Sequence, residues 1–466
     1  MPTRRDVFGM VAGAAGTAAL ASTTQGAPQG AATPGKTIRR PARDIPVVGE
    51  YDVVVCGAGP AGITAALAAR RAGMKVLLVE AQGQLGGMGV SGLVSEWLGG
   101  DHGGLFHEFA TETVTRRIAR ISNWGPAFDP FAMAAYLDDK AAQAKLDVLL
   151  LTQAVDVAIE GGRITHVMLF NKSGMQAVSA RAFVDATGDA DIAAASGCKV
   201  LKGRAPDGLM TPTTLIFHVS NVDEKKLNAH FRRHGDRLLK QIAALKDRGI
   251  WPFPYNRFIT RKLNETGVWM VNTIRLVGID GTDGKAVSDG MVRGRAEARK
   301  LMAIFRKHVP GYENARIKAV APLLGVRETR RIAGAYMMTL DDLVKWAADR
   351  RTFDDVIGYS TWGFDLPNPK RPSHNPPPKR KGLPRLKPVP YRVMVPQRIT
   401  NLICPGRGIS VERAILGSLR VASPCMAMGQ AAGQAAAQVV RSNVPFAGVD
   451  VKKLLKALQQ AGVHLG

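Results

Sequence analysis

The glycines of Gly57-Ala58-Gly59-Pro60-Ala61-Gly62 have G-x-G-x-x-G spacing, and an acid, Glu80, follows about twenty residues on. The chemistry of that pattern is dinucleotide binding. Gly57 permits a tight turn, Gly59 lets backbone approach a pyrophosphate, Gly62 lets a helix and a strand lie close together, and Glu80 can accept ribose hydroxyls. Candidates for the reaction itself are sparser. In the run Arg327-Glu328-Thr329-Arg330-Arg331, extended geometry predicts Arg327, Thr329 and Arg331 on one face and Glu328 and Arg330 on the other. Arg327 or Arg331 could then grip a substrate carboxylate bidentately, although a structural Arg–Glu network is the preferred account of the stretch. His102 and His107 in WLGGDHGGLFHEF are general-base candidates for which a surface or hydrogen-bonded structural role is the plainer reading. His218 in LIFHVS reads as a strand residue.

These residues need elements to hold them. Asp52–Cys56 is the continuous apolar kind of run found in buried parallel strands, ITAALAARRAG has helical spacing, and a second strand, Lys75–Val79, delivers Glu80. Phosphates would face the helix N-terminus, where free N–H groups and the dipole favour anions. A second glycine cluster, Gln84-Leu85-Gly86-Gly87-Met88-Gly89, follows the acid. Far down the chain, Asn401–Cys404 reads as a short buried strand entering the turn Pro405-Gly406-Arg407-Gly408. Ser423 and Pro424 then read as a helix start, with a capping hydroxyl and a proline at the first helical position. The helix behind them, which includes Met426 and Ala427, consists almost entirely of small residues that permit close approach of a neighbour.

Strand, glycine motif, helix, strand, acid and GG loop in this order resemble the FAD-dependent oxidoreductases of the glutathione-reductase and fumarate-reductase type. The resemblance implies FAD, with Gly57, Gly59, Pro60, Ala61, Gly62, Glu80, Ala81, Gly86, Gly87 and Met88 around its AMP half. It implies that the strand Leu151–Val157, with Ala154, borders the adenine, and that Val184–Asp191, with Ala186, Gly188 and Asp189, closes the nucleotide fold. It places Gly406, Arg407, Met426 and Ala427 near the flavin, where the N-terminus of the small-residue helix faces the N1–C2=O edge and stabilises negative charge by about 1 kcal/mol. LGVRETRRIAGAY at 324–336, with Thr339-Leu340-Asp341-Asp342, Val389-Pro390-Tyr391-Arg392 and Pro424–Gly433, is similar to a narrower group described only as FAD-dependent oxidoreductases, many of them exported. With FAD as the cofactor, the same face reading offers Arg327 or Arg331 a second role, acting on the reduced flavin. Two departures stand out. Phe364–Pro369 has Pro367 where relatives commonly carry the histidine of an Asp-Ile-His segment, and the cysteine-rich motifs of heterodisulfide-reductase relatives are missing. No histidine stands beside the GG loop where fumarate reductases attach flavin covalently, so noncovalent FAD is expected.

The 466 residues are 46% apolar, enough for a folded protein of two or three domains. A net charge of +25 suits nucleic acid, an anionic membrane surface or acidic substrates, and suits an exported surface equally well. Cys56, Cys198, Cys404 and Cys425 lie far apart with no CxxC pair, which argues against a ferredoxin module or a zinc ribbon, and no metal site is expected. At the N-terminus Arg4-Arg5 precede the apolar run VAGAAGTAALA and a plausible Ala19-Leu20-Ala21 cleavage site, which resembles a twin-arginine export signal. The run is too short to span a bilayer, so no membrane span is expected in the mature chain, which would be periplasmic or secreted.

The predicted fold class is α/β: a Rossmann-like FAD-binding domain of the glutathione-reductase type, with a parallel sheet and an inserted α+β substrate or cap domain. The expected divisions are a signal at 1–21, a linker at 22–49, FAD-binding segments at 50–199 and 389–440, the cap at 200–388 and a helical tail at 441–466. Within the cap, strands are expected at 215–223 and 268–274, basic helices over 224–249 and a helix from about Ser288 to His308. Residues 369–388 form a proline-rich basic loop, by default a solvated loop or subunit contact, with docking of an acidic redox partner or steering of anions as the sharper option. The expected function is exported FAD-dependent dehydrogenation or reduction, passing a hydride between flavin N5 and a small organic substrate, with anions among the candidates. A separate electron donor or acceptor would complete the cycle, and an oligomer is compatible with this reading. The alternatives are a flavoprotein that modifies nucleic acid and a non-catalytic flavin-binding or electron-transfer subunit. Export and the lack of an aromatic-plus-basic module argue against nucleic acid.

Overall fold

The structure is a computed structural model that describes residue 38, residues 41–205 and residues 207–465. The twin-arginine segment and most of the expected linker lie outside the described residues. From Arg43 onward the chain forms one compact unit.

Strand β1, Val47–Cys56, starts five residues before the expected Asp52, and its apolar end Val53–Cys56 is buried. It pairs in parallel with β2, Val76–Val79, which places Val53 opposite Val76 and Cys56 opposite Val79. Helix α1, Pro60–Arg71, makes the crossover, with proline near its first position and Ala61–Ala69 buried. Beyond β2 lies β3, Asp147–Leu149, also parallel. Strands β4, Gln153–Glu160, β5, Arg163–Asn171, and β6, Gly174–Asp185, form an antiparallel meander, and β6 returns along the other side of β1 in parallel. The order is β3-β2-β1-β6-β5-β4. The buried end of β1, Val53–Cys56, and β2 read as continuous apolar runs because both faces are covered there, whereas the meander leaves Val155, Ile159 and Phe170 in solvent.

The middle of the chain builds a second, antiparallel sheet from β7, Phe217–Ser220, β8, Thr260–Lys262, β9, Trp269–Val271, and β10, Arg316–Val320, in the order β8-β9-β7-β10. Helix α2, Gly284–His308, buries Ala298, Leu301, Met302 and Phe305 in that region's own apolar cluster. Phe258, Phe305 and Tyr312 meet there edge to face with centroids 4.7 to 5.7 Å apart. The chain then returns to the first sheet through β11, Leu402–Ile403, parallel to β6.

Helix α3, Ala422–Ser442, lies directly on α1, and its small residues explain how. A Cβ at Gly429 would stand 2.0 Å from the Ala61 carbonyl oxygen, and one at Gly433 would stand 2.2 Å from that of Ala65. Thr64 Oγ1 donates across the contact to Met426 O at 3.0 Å. The start of α3 departs from the sequence expectation. The helix opens at Ala422 with Val421 as N-cap and no side-chain cap, and the Ser423 hydroxyl donates to Gly100 O instead. Pro424 therefore sits in the first turn rather than at its first position, where the N–H it lacks would have had no helical partner anyway.

Candidate functional site

The N-termini of α1 and α3 open on one cavity of about 970 Å³, at the upper end of the range for ligand pockets. Neither helix carries a side-chain cap, so their first-turn N–H groups are not taken up by capping side chains. The glycines divide into two kinds. Gly57 has φ +94°, and a Cβ on it would lie 2.4 Å from Ala186 O, while one on Gly62 would lie 1.7 Å from Gly57 O. Those two shape the turn. Gly59 is extended, and the nearest neighbour to a Cβ on it is Gly87 Cα at 3.9 Å. Gly87 closes from the other side, where a Cβ would come within 2.6 Å of Gly59 Cα. Gly59 and Gly87 both belong to the cavity wall.

Glu80, 7% exposed, ends β2 beside this turn and accepts the Ala58 N–H at 2.6 Å and the Gln82 N–H at 2.8 Å. Burial pushes its carboxyl up against the effect of those bonds. Glu80 thus fixes the glycine turn as well as facing the cavity. On the opposite wall Arg407 donates from Nε to Gly188 O and from Nη2 to Asp189, both at 2.6 Å, and reaches Val326 O with Nη1. It ties the end of β6 to the segment that carries Arg327. Beneath them Asp185 accepts from Thr187 Oγ1 at 2.7 Å and from Ala193 N at 2.9 Å, and burial pushes its pKa up to about 6.

Of the residues expected around a dinucleotide, the structure gathers Gly57, Gly59, Pro60 and Ala61, Glu80 and Ala81, Gly87 and Met88, Ala154, Ala186, Gly188 and Asp189, and Gly406 and Arg407 on this cavity. Four stand behind the wall. Gly62 lies beneath Gly57, Gly86 donates its N–H to Ala58 O at 2.9 Å, and Met426 and Ala427 are buried under the first turn of α3. Ala422 and Cys425 face the cavity in place of the last two.

The reaction candidates fare differently. Arg327 lines the cavity. Arg331 does not: it is buried and donates Nη1 to Val411 O at 2.8 Å. The predicted alternation fails because regular strand begins only at Arg330, where Arg330–Ile332 pairs with Val200–Lys202. The Arg–Glu network is present around it, for buried Glu328 accepts from Arg413 Nε at 2.8 Å and from Thr211 Oγ1 at 2.6 Å. His102 also stands off the cavity, with Nε2 3.1 Å from Gly99 O, and burial lowers its pKa. His107 is exposed with Nδ1 2.6 Å from Asp101. His218, on β7, lies 3.0 Å from Leu93 O and is pushed down to about 4 by burial, so it is neutral near pH 7.

The structure adds residues that the sequence reading missed. Arg275, Arg420, Tyr255 and Glu96 line the cavity, and Asp365, from the segment that departs from the family pattern, joins them. The available signal was a lone charge inside an apolar run, as in Val271-Asn272-Thr273-Ile274-Arg275-Leu276-Val277 and Leu93-Val94-Ser95-Glu96-Trp97-Leu98. All four cysteines are buried and free, and burial pushes the Cys425 thiol on the cavity wall up to about 12, which leaves no thiolate at neutral pH. Among the described residues no group of three or more His, Cys, Asp or Glu could hold a metal ion, and no helix is long and apolar enough to cross a membrane.

Residues 52–458 match the family of FAD-dependent oxidoreductases, a span that includes both sheets and both helix N-termini. The chain belongs to that family. It is an FAD-dependent oxidoreductase, and its cofactor is FAD. Segments of it are similar to curated proteins: 30% identical over 158 residues to digeranylgeranylglycerophospholipid reductase 2 of Methanopyrus kandleri, covering 30% of this chain and 38% of that one. A thiamine thiazole synthase of Aeropyrum pernix is 34% identical over 128 residues, covering 25% and 43%. The chain thus spans less than half the length of these two relatives. A solved geranylgeranyl bacteriochlorophyll reductase-like protein from Thermoplasma acidophilum aligns over 90% of this chain and 85% of its own at 14% identity, with a TM-score of 0.49.

The residues present fit FAD. A Cβ at Gly87 would come within 2.6 Å of Gly59 Cα, so the wall there is bare backbone, two helix N-termini without side-chain caps open on the same space, and Glu80 fixes the glycine turn ahead of α1. The glycine turn would hold the pyrophosphate, Glu80 and Ala154 would border the AMP half, and Gly406 with the first turn of α3 would border the ring.

Proposed function

We propose that this enzyme is exported and passes a hydride between a small organic substrate and a noncovalently held FAD. The observation that carries this reading is continuity: the glycine turn and the first turn of α3 line the same cavity as the cap, through Met270 on β9 and Asn272 and Arg275 just beyond it. A dinucleotide at one wall and a small molecule under the cap would share that one space. FAD, when bound, supplies a ring that takes up or gives a hydride at N5.

The chain supplies binding, electrostatics and a proton carrier. First-turn N–H groups of α1 favour a pyrophosphate, while at α3 the dipole and the Ala422 N–H favour negative charge, since Ser423 N–H donates to Leu98 O at 2.9 Å and Pro424 has none. Glu96, 3% exposed on the cavity wall, accepts from Ser122 Oγ and has Arg261 Nε 4.0 Å away, and burial pushes its carboxyl up. A carboxyl raised in this way is suited to carry the proton that leaves or joins the substrate. The basic loop edges the cavity with Pro372, Ser373 and Asn375, where its cations would steer anions or an acidic redox partner inward.

The test is anaerobic mixing of purified holoenzyme with alcohols, amines, sugars, hydroxy acids and steroids. One class should bleach the visible flavin absorption, and denaturation should release the FAD. Flavin that stays attached to denatured chain would contradict noncovalent binding, and failure of every class, run in either direction, would contradict the hydride reading. Export is supported by Arg4-Arg5 and the apolar run that follows. Replacing both arginines with lysine should retain the protein in the cytoplasm, and unchanged export would contradict that part.

A further inference from the structure

We infer that the cap end of the cavity is an anion subsite for a carboxylate of the substrate, formed by Arg275, Arg327 and Arg420 around Asp365. This rests on the reading that substrate and FAD share the cavity. Of these three arginines the sequence had singled out only Arg327. The structure sets beside it a guanidinium from the segment that follows β9 and another just ahead of α3, all on the cavity wall. Arg275 is 6% exposed, Arg327 8%, and the Arg420 side chain 12%.

Asp365 is the carboxylate that faces all three cations; Glu328 also acts on Arg420 but is held by Arg413. Asp365 accepts from Arg420 Nη2 at 3.1 Å, and although burial would raise its pKa, the charges of Arg420, Arg327 and Arg275 hold it below the ordinary carboxylate value. It is therefore ionised, and the set keeps an excess of positive charge on largely buried arginines, with the Asp365 side chain 38% exposed. Burial and repulsion from Arg275 and Arg420 press the Arg327 pKa well below its usual value. Because arginine holds its proton in proteins, an incoming anion is the available relief.

The hydrogen bonds agree. Among the described residues Arg327 gives the protein one bond, from Nη1 to Pro212 O at 2.8 Å, out of five possible donors. Arg420 spends Nη2 on Asp365 and has no partner for Nε. Arg275 is the fixed member: Nη1 donates to Asn272 O at 2.7 Å and Ile274 O at 2.8 Å, and its guanidinium lies 4.3 Å from the Tyr255 ring centroid. The planar fork of Arg327, with donors to spare, matches a carboxylate. Arg237, Arg257 and Arg261 line the same cavity and extend the positive field along it.

The test uses FAD-loaded full chain and two probes of one shape, benzoate and neutral benzamide. Binding is read by tryptophan fluorescence, because Trp97, Trp124 and Trp362 line the cavity, and by perturbation of the flavin spectrum. Benzoate should bind at least about tenfold more tightly than benzamide, and Arg327→Gln should weaken benzoate about ten- to a hundredfold with FAD content unchanged. Arg327→Lys should recover part of the loss. Equal affinity for the two probes overturns the proposal. So does an Arg327→Gln protein that folds and keeps its benzoate affinity, or one that loses FAD, which would assign the cluster to the cofactor. Inorganic phosphate that displaces benzoate with higher affinity would overturn the choice of a carboxylate. If Arg327→Gln does not fold, the benzoate–benzamide comparison on the unaltered enzyme and on Arg420→Gln decides. Arg327-dependent benzoate binding with no substrate class bleaching the flavin keeps the subsite and removes the hydride reading. Bleaching by a substrate indifferent to Arg327→Gln does the reverse.

Discussion

Gly59 and its neighbours separate cofactor holding from fold holding. An alanine at Gly59 meets allowed backbone angles and no atom closer than 3.9 Å, whereas alanine at Gly57 or Gly62 collides with backbone oxygen at 2.4 or 1.7 Å. Gly59→Ala should therefore keep its unfolding free energy within about 0.5 kcal/mol when stripped of flavin, yet lose most of its FAD occupancy. Gly57→Ala and Gly62→Ala should lose stability in the stripped protein itself; a Gly59→Ala protein that is equally unstable would remove the distinction. Asp185 gives a pH signature. Its folded pKa of about 6 lies above the ordinary value of 3.8, so its contribution is full below about pH 4 and is lost as pH rises through 6. The stability of the unaltered protein minus that of Asp185→Asn should fall by about 3 kcal/mol between pH 4 and pH 7 in denaturant titrations, and parallel pH curves would contradict it. At this scale the glycines and Glu80 were legible because one short local motif carries them. Arg275, Arg420 and Asp365 were not, since their proximity exists only after the cap has folded onto the first sheet.

Elements were legible where one physical signal dominates. The buried end of β1, β2 and β11 are continuous apolar runs, the pattern that buried parallel strands impose. The small-residue helix was found from composition, but its start was misplaced: Ser423 looks like a cap in sequence, and its hydroxyl is claimed by Gly100 O from a distant loop. The stretch around Arg331 failed for a related reason, because an alternating pattern predicts faces only where backbone is regular. The contact of α1 with α3 offers a stability test. Alanine at Gly433 would place a Cβ 2.2 Å from Ala65 O and 2.9 Å from Ala68 Cβ, so the helices must separate. Gly433→Ala should cost about 1 to 3 kcal/mol in denaturant unfolding and also weaken FAD retention, because both helix N-termini lie at the cavity. A neutral substitution would show that the helices move apart freely.

For the molecule as a whole, three apolar clusters, one on each face of the first sheet and one in the cap, surround a cavity that the cofactor would fill. Removing FAD should lower the unfolding temperature, and readdition at about a hundredfold excess over Kd should restore about 2.7 kcal/mol, read as a ligand-dependent Tm. An unchanged Tm would mean that FAD sits outside the folded unit. The overall charge was visible in the sequence, but its use was not: the part that matters here is the small group of buried arginines facing one aspartate. The central claim is that substrate and FAD meet in this one cavity and exchange a hydride. Its most direct test is anaerobic rapid mixing of holoenzyme with the organic acid found to reduce it, carrying hydrogen or deuterium at the carbon that is oxidised. The account predicts that the flavin absorption bleaches in a single turnover and that deuterium slows the bleaching. Bleaching at the same rate with both isotopes, with chemistry shown to limit the step, would contradict it.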